Sequence, residues 1–446
     1  FVNPPAIAEL AKEDAIEAYT LPQGALSQLM REMAAGRPGL VTHVGLHTFI
    51  DPRYGGGRQS LSAKEDLLEV ITLAGQEWLF YKPFKVDIAF LRGTTADEQG
   101  NVTMEHEAVF GEMLSMAQAT RNAGGVVIVQ VARLSQGDTL PPKQVKIPGM
   151  LVDLVVLDPD QRQTYQVDFS PAYAGELRVP LTDISPLAFD ARKVIARRAA
   201  LELFPGAVCN LGAGVSTGIA NVAAEEAILD QIVLSNEQGL IGGAPASGMD
   251  AGAGINYTAM IDQPYQFDFY DGGGLDLAFL SFAQVDARGN VNVSRFNGRI
   301  IGTGGFPHIS QNAKKVIFSG TLTAGGGDIS WSEGLTVIQK DGRYPKFVSQ
   351  LEQITYNGRF GCEREQEILF VTERAVFQLS SAGLELIEFA PGLELEKDIF
   401  AQMEFRPQVS PILREMDARI FRADPIGMAS DLAKKPHTNI PSRLRE

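Results

Sequence analysis

The chain has 446 residues, of which 45% are hydrophobic, 21% charged and 8% aromatic. That balance excludes a disordered or fibrous polymer and suits two or three domains of ~150 residues each. Lysine and arginine number 39 against 54 aspartates and glutamates, a net charge of -15, which opposes general attraction to nucleic acid or anionic lipid and requires any anionic ligand to be held by local groups.

The chain opens Phe-Val-Asn-Pro-Pro, without methionine, and runs straight into a helical segment over Ala6–Tyr19, so residues are expected to be missing ahead of Phe1. Periodicity then predicts a helix over Gly24–Ala34 and buried strands over Val41–Val44, Val86–Leu91, Val126–Val131 and Leu154–Leu157. A helix over Asp190–Phe204 follows, then a strand over Ala207–Leu211, a helix over Thr217–Leu229, and strands over Ile232–Ser235, Leu277–Phe282, Val316–Ser319 and Ile368–Val371. Short apolar strands alternating with helices, with many of the 45 glycines between them, define an α/β protein. No run approaches the ~20 apolar residues of a membrane span and the start does not read as a signal peptide. Two cysteines, Cys209 and Cys362, without CxxC spacing, encode neither a disulfide framework nor a zinc site and fit a reducing cytoplasm.

An internal repeat organises the chain. Asp87–Val102 aligns without a gap on Asp276–Val291, eight of sixteen positions being identical, and each copy reads as a core strand followed by an Asp…Gly-Asn turn. A helix-like stretch and another strand follow each copy at nearly the same offset. Two similar open α/β domains are therefore expected, over residues 1–180 and 187–446, joined through the proline-rich stretch Ser170–Pro186.

The sharpest local pattern is a βαβ unit: strand Ala207–Leu211, the loop Gly212-Ala-Gly214-Val-Ser-Thr-Gly218, a helix, strand Ile232–Ser235, then Asn236-Glu237-Gln238-Gly239. Such a unit brings its glycine loop and the residue after its second strand together at the carboxyl edge of a parallel sheet. Three readings stand. Gly212 and Gly214 could cradle the pyrophosphate of NAD with Glu237, 25 residues beyond Gly212, on a ribose hydroxyl, although Gly218 falls one residue late for GxGxxG. The glycines could merely punctuate tight turns. Or Glu237, followed by the small-residue loop that holds Gly242 and Gly243, is a nucleophile at an open strand end.

The runs Asn210-Leu-Gly-Ala-Gly214, Asn236-Glu237-Gln-Gly-Leu-Ile-Gly242-Gly243 and Ile261–Gly274 closely resemble the family I coenzyme A transferases of the short-chain acyl-CoA:acetate and 3-ketoacid type, including propionate CoA-transferases. So do Leu21-Pro-Gln23-Gly24, Thr42-His-Val-Gly45, Gly302-Thr-Gly-Gly305-Phe and Val371-Thr-Glu-Arg-Ala-Val-Phe, and the resemblance continues to Met403–Pro407, nearly the whole chain. It implies two similar α/β halves with the active site between them. It implies Glu237 as the nucleophile that forms a glutamyl-CoA thioester, Gln23 as a donor to the substrate carboxylate, and Asn221, Gly304 and Gly305 as CoA contacts. Coenzyme A is then a substrate, with no other cofactor, no metal and no nucleic acid or membrane partner, in a cytoplasmic homo-oligomer, dimer or tetramer.

Other classes remain open from the residues alone: an NAD-dependent oxidoreductase, a non-catalytic acyl-CoA-binding protein on the same fold, and, nearer, acyl-CoA hydrolysis. Lys314 and Lys315 would supply local positive charge to CoA phosphates, unless they are simply solvated. His43 and His47 lack a third metal ligand at sensible spacing, and His47 stands where the family usually has glycine, a departure expected to narrow the acyl pocket. The family begins with a strand, a Gly-Gly-Phe type loop and a helix ahead of Phe1, and without them the first domain should expose apolar surface.

Overall fold

The computed structural model describes residues 5–436; the opening Phe1–Pro4 and residues 437–446 of the second expected domain lie outside the described residues. Helix α1 covers Pro5–Lys12, shorter than the expected 6–19. Asp14 adopts φ +60°, and a left-handed residue ends a helix. Helix α2 covers Gln23–Ala34. Strand β1 is Leu40–Thr42; it pairs antiparallel with β3 (Gln76–Tyr81), which pairs with β2 (Leu68–Leu73). The expected strand at 41–44 thus forms, two residues shorter at its far end, inside an antiparallel three-stranded sheet.

The parallel strands of the first half are β4 (Ile88–Arg92), β5 (Val126–Val131) and β6 (Leu154–Leu157), in the order β6-β5-β4, with helix α3 (Met113–Asn122) between β4 and β5 in the chain. Alternation along β4 and β5 sends Ala89, Leu91, Val127 and Val129 into one core with α3 residues. The opposite face leaves Phe90 75% and Ile88 52% exposed.

The second half carries helix α4 (Ala191–Ala200), started by Asp190, whose carboxylate accepts from the N–H groups of Arg192 and Lys193 at 2.8 and 3.1 Å. Strand β7 (Val208–Leu211), a 3-10 turn at Gly214–Thr217, helix α5 (Gly218–Glu225) and strand β8 (Val233–Ser235) form the predicted βαβ unit. Helix α6 (Gln263–Asp271) leads to β9 (Leu277–Ser281), α7 (Phe306–Asn312) to β10 (Lys315–Ser319), and then come β11 (Glu367–Val371), β12 (Ala375–Ser380), β13 (Gly383–Phe389) and β14 (Gln408–Glu415). They build one sheet, β8-β7-β9-β10-β11 parallel, continued by β12, β13 and β14; beyond β8 the short strands 240–241 and 259–260 add antiparallel. Leu277 and Phe279 pack with α4 and α5 on one face, Ala278 and Leu280 with α6 and α7 on the other, as a strand buried on both faces requires.

The repeat is structural as well as sequential. Asp97 Oδ1 accepts from the N–H groups of Gln99 and Asn101 while its Oδ2 accepts from the Asn101 amide; Asp286 makes the same three bonds to Arg288 and Asn290. Asn101 Oδ1 then accepts from Gly149 N–H and Asn290 Oδ1 from Gly358 N–H, both at 2.9 Å. The halves differ at one edge: β9 pairs with β7, whereas its counterpart β4 has no neighbour on that side among the described residues.

Helix α4 is fastened to the sheet by a buried ion pair. Arg198 donates from Nε and Nη2 to both oxygens of Glu388 at 2.6 and 3.1 Å, the two side chains being 5% and 4% exposed. Truncating Glu388→Ala removes one of the two carboxylate partners of Arg198, leaving Glu202 at 2.7 Å, and should destabilise the fold by about 1–3 kcal/mol, read as a lower urea midpoint at unchanged slope; a midpoint within error of wild type would refute that role.

Candidate active site

Glu237 occupies a corner of a tight turn. Asn236 N–H bonds to Leu240 O, the Asn236 amide accepts from Leu240 N–H, and Gly239 N–H returns to Asn236 O. The amide also donates to Gly252 O at 2.9 Å, so Asn236 clamps the turn between two loops. Gly239 has φ +105° and a Cβ there would stand 1.9 Å from Ile261 O, which leaves glycine as the residue that fits. The turn begins where β8 ends, so Glu237 stands at the carboxyl edge of the parallel sheet, where α/β proteins bind ligands.

Three of the expected site residues come together there. A Cβ on Gly305 would lie 3.3 Å from both Cβ and Cγ of Glu237, so the glycine lets the turn before α7 approach the carboxyl-bearing side chain. The first half closes on that turn: Gln23 N–H donates to Gly304 O at 2.9 Å and Thr303 Oγ1 to Leu21 O at 3.3 Å. Helix α2 has no side-chain cap at Pro22, and one of its orphan N–H groups is satisfied by the other half of the chain. Gln23 Oε1 is buried without a hydrogen-bond partner among the described residues. Neither Gly304 nor Gly305 N–H is taken up by a backbone acceptor among the described residues.

The Glu237 side chain keeps partial solvent access, and the protein packed around its carboxyl raises its pKa by desolvation, against which its own N–H and the Asn210 amide work. Behind it lies a polar network that the sequence analysis did not assign. Asn210 Nδ2 donates to Ser235 O and to Tyr270 Oη, both at 3.3 Å; Tyr270 Oη donates to Ser235 Oγ at 2.9 Å, and Ser235 Oγ to Cys209 O at 3.1 Å. The signal available for Asn210 was a polar residue inside an apolar strand; for Tyr270 there was none short of the fold. A cleft of about 660 Å³ starts at Gln238 and runs between the 249–253 loop and first-half residues Arg92, Ala108 and Val109.

Other expectations land elsewhere. Gly212 N–H donates to Phe279 O at 2.7 Å and a Cβ there would meet Leu280 Cδ2 at 2.7 Å; its smallness serves strand packing and its donor is already engaged. Gly214, φ +92°, lies against Ser281 Oγ at the exposed start of the 3-10 turn. Gly242 and Gly243, φ +81° and +69°, form a left-handed turn, with Gly242 N–H bonded to Leu234 O. Asn221 donates from α5 to Ser185 O at 2.9 Å and nothing brings it to Glu237. Lys315 is ion-paired to Glu202 and Glu367, and Lys314 to Asp276; both stand at the amino end of β10, the wrong edge for the site. His47 adopts φ +61° and its ring lies 4.9 Å from Phe360 beside a separate cleft of about 730 Å³ that contains no Glu237 contact. The position's preference for glycine thus reflects backbone conformation. Among the described residues no cluster of three or more potential metal ligands occurs and no helix is long and apolar enough to cross a membrane; Cys209 and Cys362 are both free thiols.

A desolvated carboxylate between two glycine turns at a sheet edge, closed by a second similar half, has the setting in which a carboxylate can act as a nucleophile. The coenzyme A transferase family model matches residues 2–158. Caffeate CoA-transferase of Acetobacterium woodii is 46% identical over 424 residues, 93% of this chain and 81% of that protein. Acetate CoA-transferase YdiF of Escherichia coli strain K12 is 46% identical over 418 residues, 94% and 79% respectively. The acyl-CoA transferase YdiF of Escherichia coli O157:H7, solved as the apoenzyme and as a thioester complex with CoA, superposes with a TM-score of 0.90 at 45% identity, covering 95% of this chain and 80% of that one. The chain belongs to the coenzyme A transferase family and is a CoA-transferring enzyme.

Because the folded state raises the Glu237 pKa, it binds that proton more tightly than the unfolded chain. The contribution favours folding below the ordinary glutamate range and is lost as pH rises through the shifted value. Glu237→Gln should therefore raise the melting temperature at about pH 8 and leave it near wild type at about pH 4; equal shifts at both would contradict desolvation as the cause.

Proposed function

We propose that the protein exchanges coenzyme A between a short-chain acyl-CoA and a free carboxylate of the acetate, propionate or acetoacetate type, through a glutamyl-CoA thioester on Glu237. The observation that carries this is the desolvated Glu237 carboxylate held against Gly305 at the junction of the two halves. Glu237 Oε attacks the thioester carbonyl, expelling CoA thiolate and leaving an acyl-glutamyl anhydride. The thiolate attacks the glutamyl carbonyl, releasing the first carboxylate with one of the glutamate oxygens and forming the enzyme thioester. An acceptor carboxylate then attacks that thioester carbonyl, and the freed thiolate takes the acceptor's acyl carbon, regenerating Glu237.

Each carbonyl passes through an oxyanion, and backbone N–H groups in a water-poor site are the donors that stabilise one. In this reading the role falls to the Gly304 and Gly305 N–H groups, which have no backbone acceptor among the described residues, and Gln23 Nε2 donates to the substrate carboxylate. The same burial that raises the pKa makes the carboxylate more basic and a better nucleophile. The thiol, the carboxylates and Glu237 balance the reaction, so CoA enters as a substrate and the reading includes no resident cofactor. It places the enzyme in the cytoplasm, where its two thiols stay reduced, as a homo-oligomer. The dinucleotide alternative loses its main donor, because Gly212 N–H is held by Phe279 O; hydrolysis differs in the last step alone, where water replaces the acceptor.

Incubation with acetyl-CoA and no acceptor, followed by borohydride and peptide mass spectrometry, should modify the Glu237 peptide and none in Glu237→Ala, whose turnover should fall by at least about three orders of magnitude. An unmodified Glu237 peptide alongside active turnover would overturn the assignment. Gln23→Ala is expected to raise the KM for the acceptor about tenfold or more with little change in that for acyl-CoA; equal effects on both would remove Gln23 from carboxylate recognition.

A further inference from the structure

Helices α2, α6 and α7 meet beneath the site in a buried polar hub that the chemistry does not use. Asp271, the last residue of α6, accepts from His308 Nδ1 at 2.7 Å, from Asn312 Nδ2 at 3.2 Å and, on its other oxygen, from Gln28 Nε2 at 2.9 Å. His308 and Asn312 lie on α7, Gln28 on α2 of the first half. Gln28 and Arg31 also reach Asp268, each at 3.1 Å, one turn earlier on α6. His43, after β1, bonds to Asn312 Oδ1 at 2.6 Å. His308, Gln28 and Asn312 are 0%, 4% and 6% exposed, so these bonds form where water offers no substitute.

Each arm of the hub ends at a group beside Glu237. His308 follows Gly305 by three residues on the same short helix. Its ring lies tilted by 55° against Phe267 with the centroids 4.7 Å apart, and its Nε2 lies so near the first turn of α2 that a Cβ on Gly24 would fall 2.6 Å from it. Gly24 is the neighbour of Gln23. Tyr270, preceding Asp271, belongs to the network behind the Glu237 carboxyl. With Nδ1 bonded to Asp271, Nε2 has no hydrogen-bond partner among the described residues and lies against the first turn of α2.

We propose that Asp271 and His308 are positioning residues of the transfer reaction: by holding α2, α6 and α7 at one carboxylate they set the spacing between Gln23, the Gly304–Gly305 turn and Glu237. The inference rests on Glu237 being the nucleophile. A misplacement of about 1 Å remote from the reacting atoms lowers rate by about 100-fold, and a hub with partners on three helices is where such a displacement starts.

The test measures, by rapid quench with acetyl-CoA, the rate at which CoA appears on Glu237 per site that ultimately labels. His308→Leu should slow that rate about 10- to 100-fold with the acetyl-CoA KM within about threefold of wild type, and His308→Asn, whose amide can still donate to Asp271, should recover most of it. Gln28→Ala removes the first-half bond to Asp271, leaving the Arg31 and His43 contacts in place, and should slow the same step even if His308→Leu fails to fold. Unchanged rates per site in Gln28→Ala and in any folded His308 variant, with or without fewer labelling sites, would reduce the hub to a structural contact and overturn the proposal. A wild-type protein that turns over without labelling Glu237 would instead overturn the nucleophile assignment, and the positioning role with it.

Discussion

Everything at the site depends on one close approach: a glutamate side chain at the corner of a tight turn packed against a turn where a Cβ would be crowded at 3.3 Å. Gly305 allows Glu237 to lie against the start of α7, and the protein packed around its carboxyl removes water from it. Desolvation of that carboxylate is unfavourable to folding at neutral pH, a conflict that a nucleophilic role for Glu237 would account for. The Asn236 clamp, the Gly239 contact with Ile261 O and the Gln23 bond to Gly304 O hold the turns together in spite of it.

Duplication explains why the site lies at a junction. The half carrying Glu237 leaves the carboxyl edge of its parallel strands to be closed by α2 of the other. The equivalent turns after β4 and β9 use the same side-chain bonds, down to the asparagine that captures a glycine N–H from a distant loop. Such paired local solutions are difficult to arrive at independently, which ties the sequence repeat to the three-dimensional one.

Much of this was legible in the chain. The parallel strands follow from apolar runs bounded by glycines, and β5 and β6 fall on the residues expected. Glu237 was marked by its place after a strand and by the motif around it. What escaped was partner choice. Lys315 reads as a cation near a glycine loop until the sheet puts it at the opposite end of β10 with Glu202 and Glu367. Gly212 reads as a phosphate cradle until the strand order gives its N–H to Phe279. The antiparallel pairing of β1 and the hub at Asp271 join residues separated by tens or hundreds of positions, and no local pattern records them.

The mechanism makes a demand on individual oxygen atoms. Attack of the acceptor on the glutamyl thioester must leave one acceptor oxygen on Glu237 in every cycle, because the thiolate then removes the acyl group at its carbonyl carbon. Turnover of acetyl-CoA with doubly 18O-labelled propionate, followed by mass spectrometry of the Glu237 peptide, should show 18O accumulating in that carboxyl and in no other. A Glu237 peptide that keeps its natural oxygen through many turnovers would contradict covalent transfer through this residue.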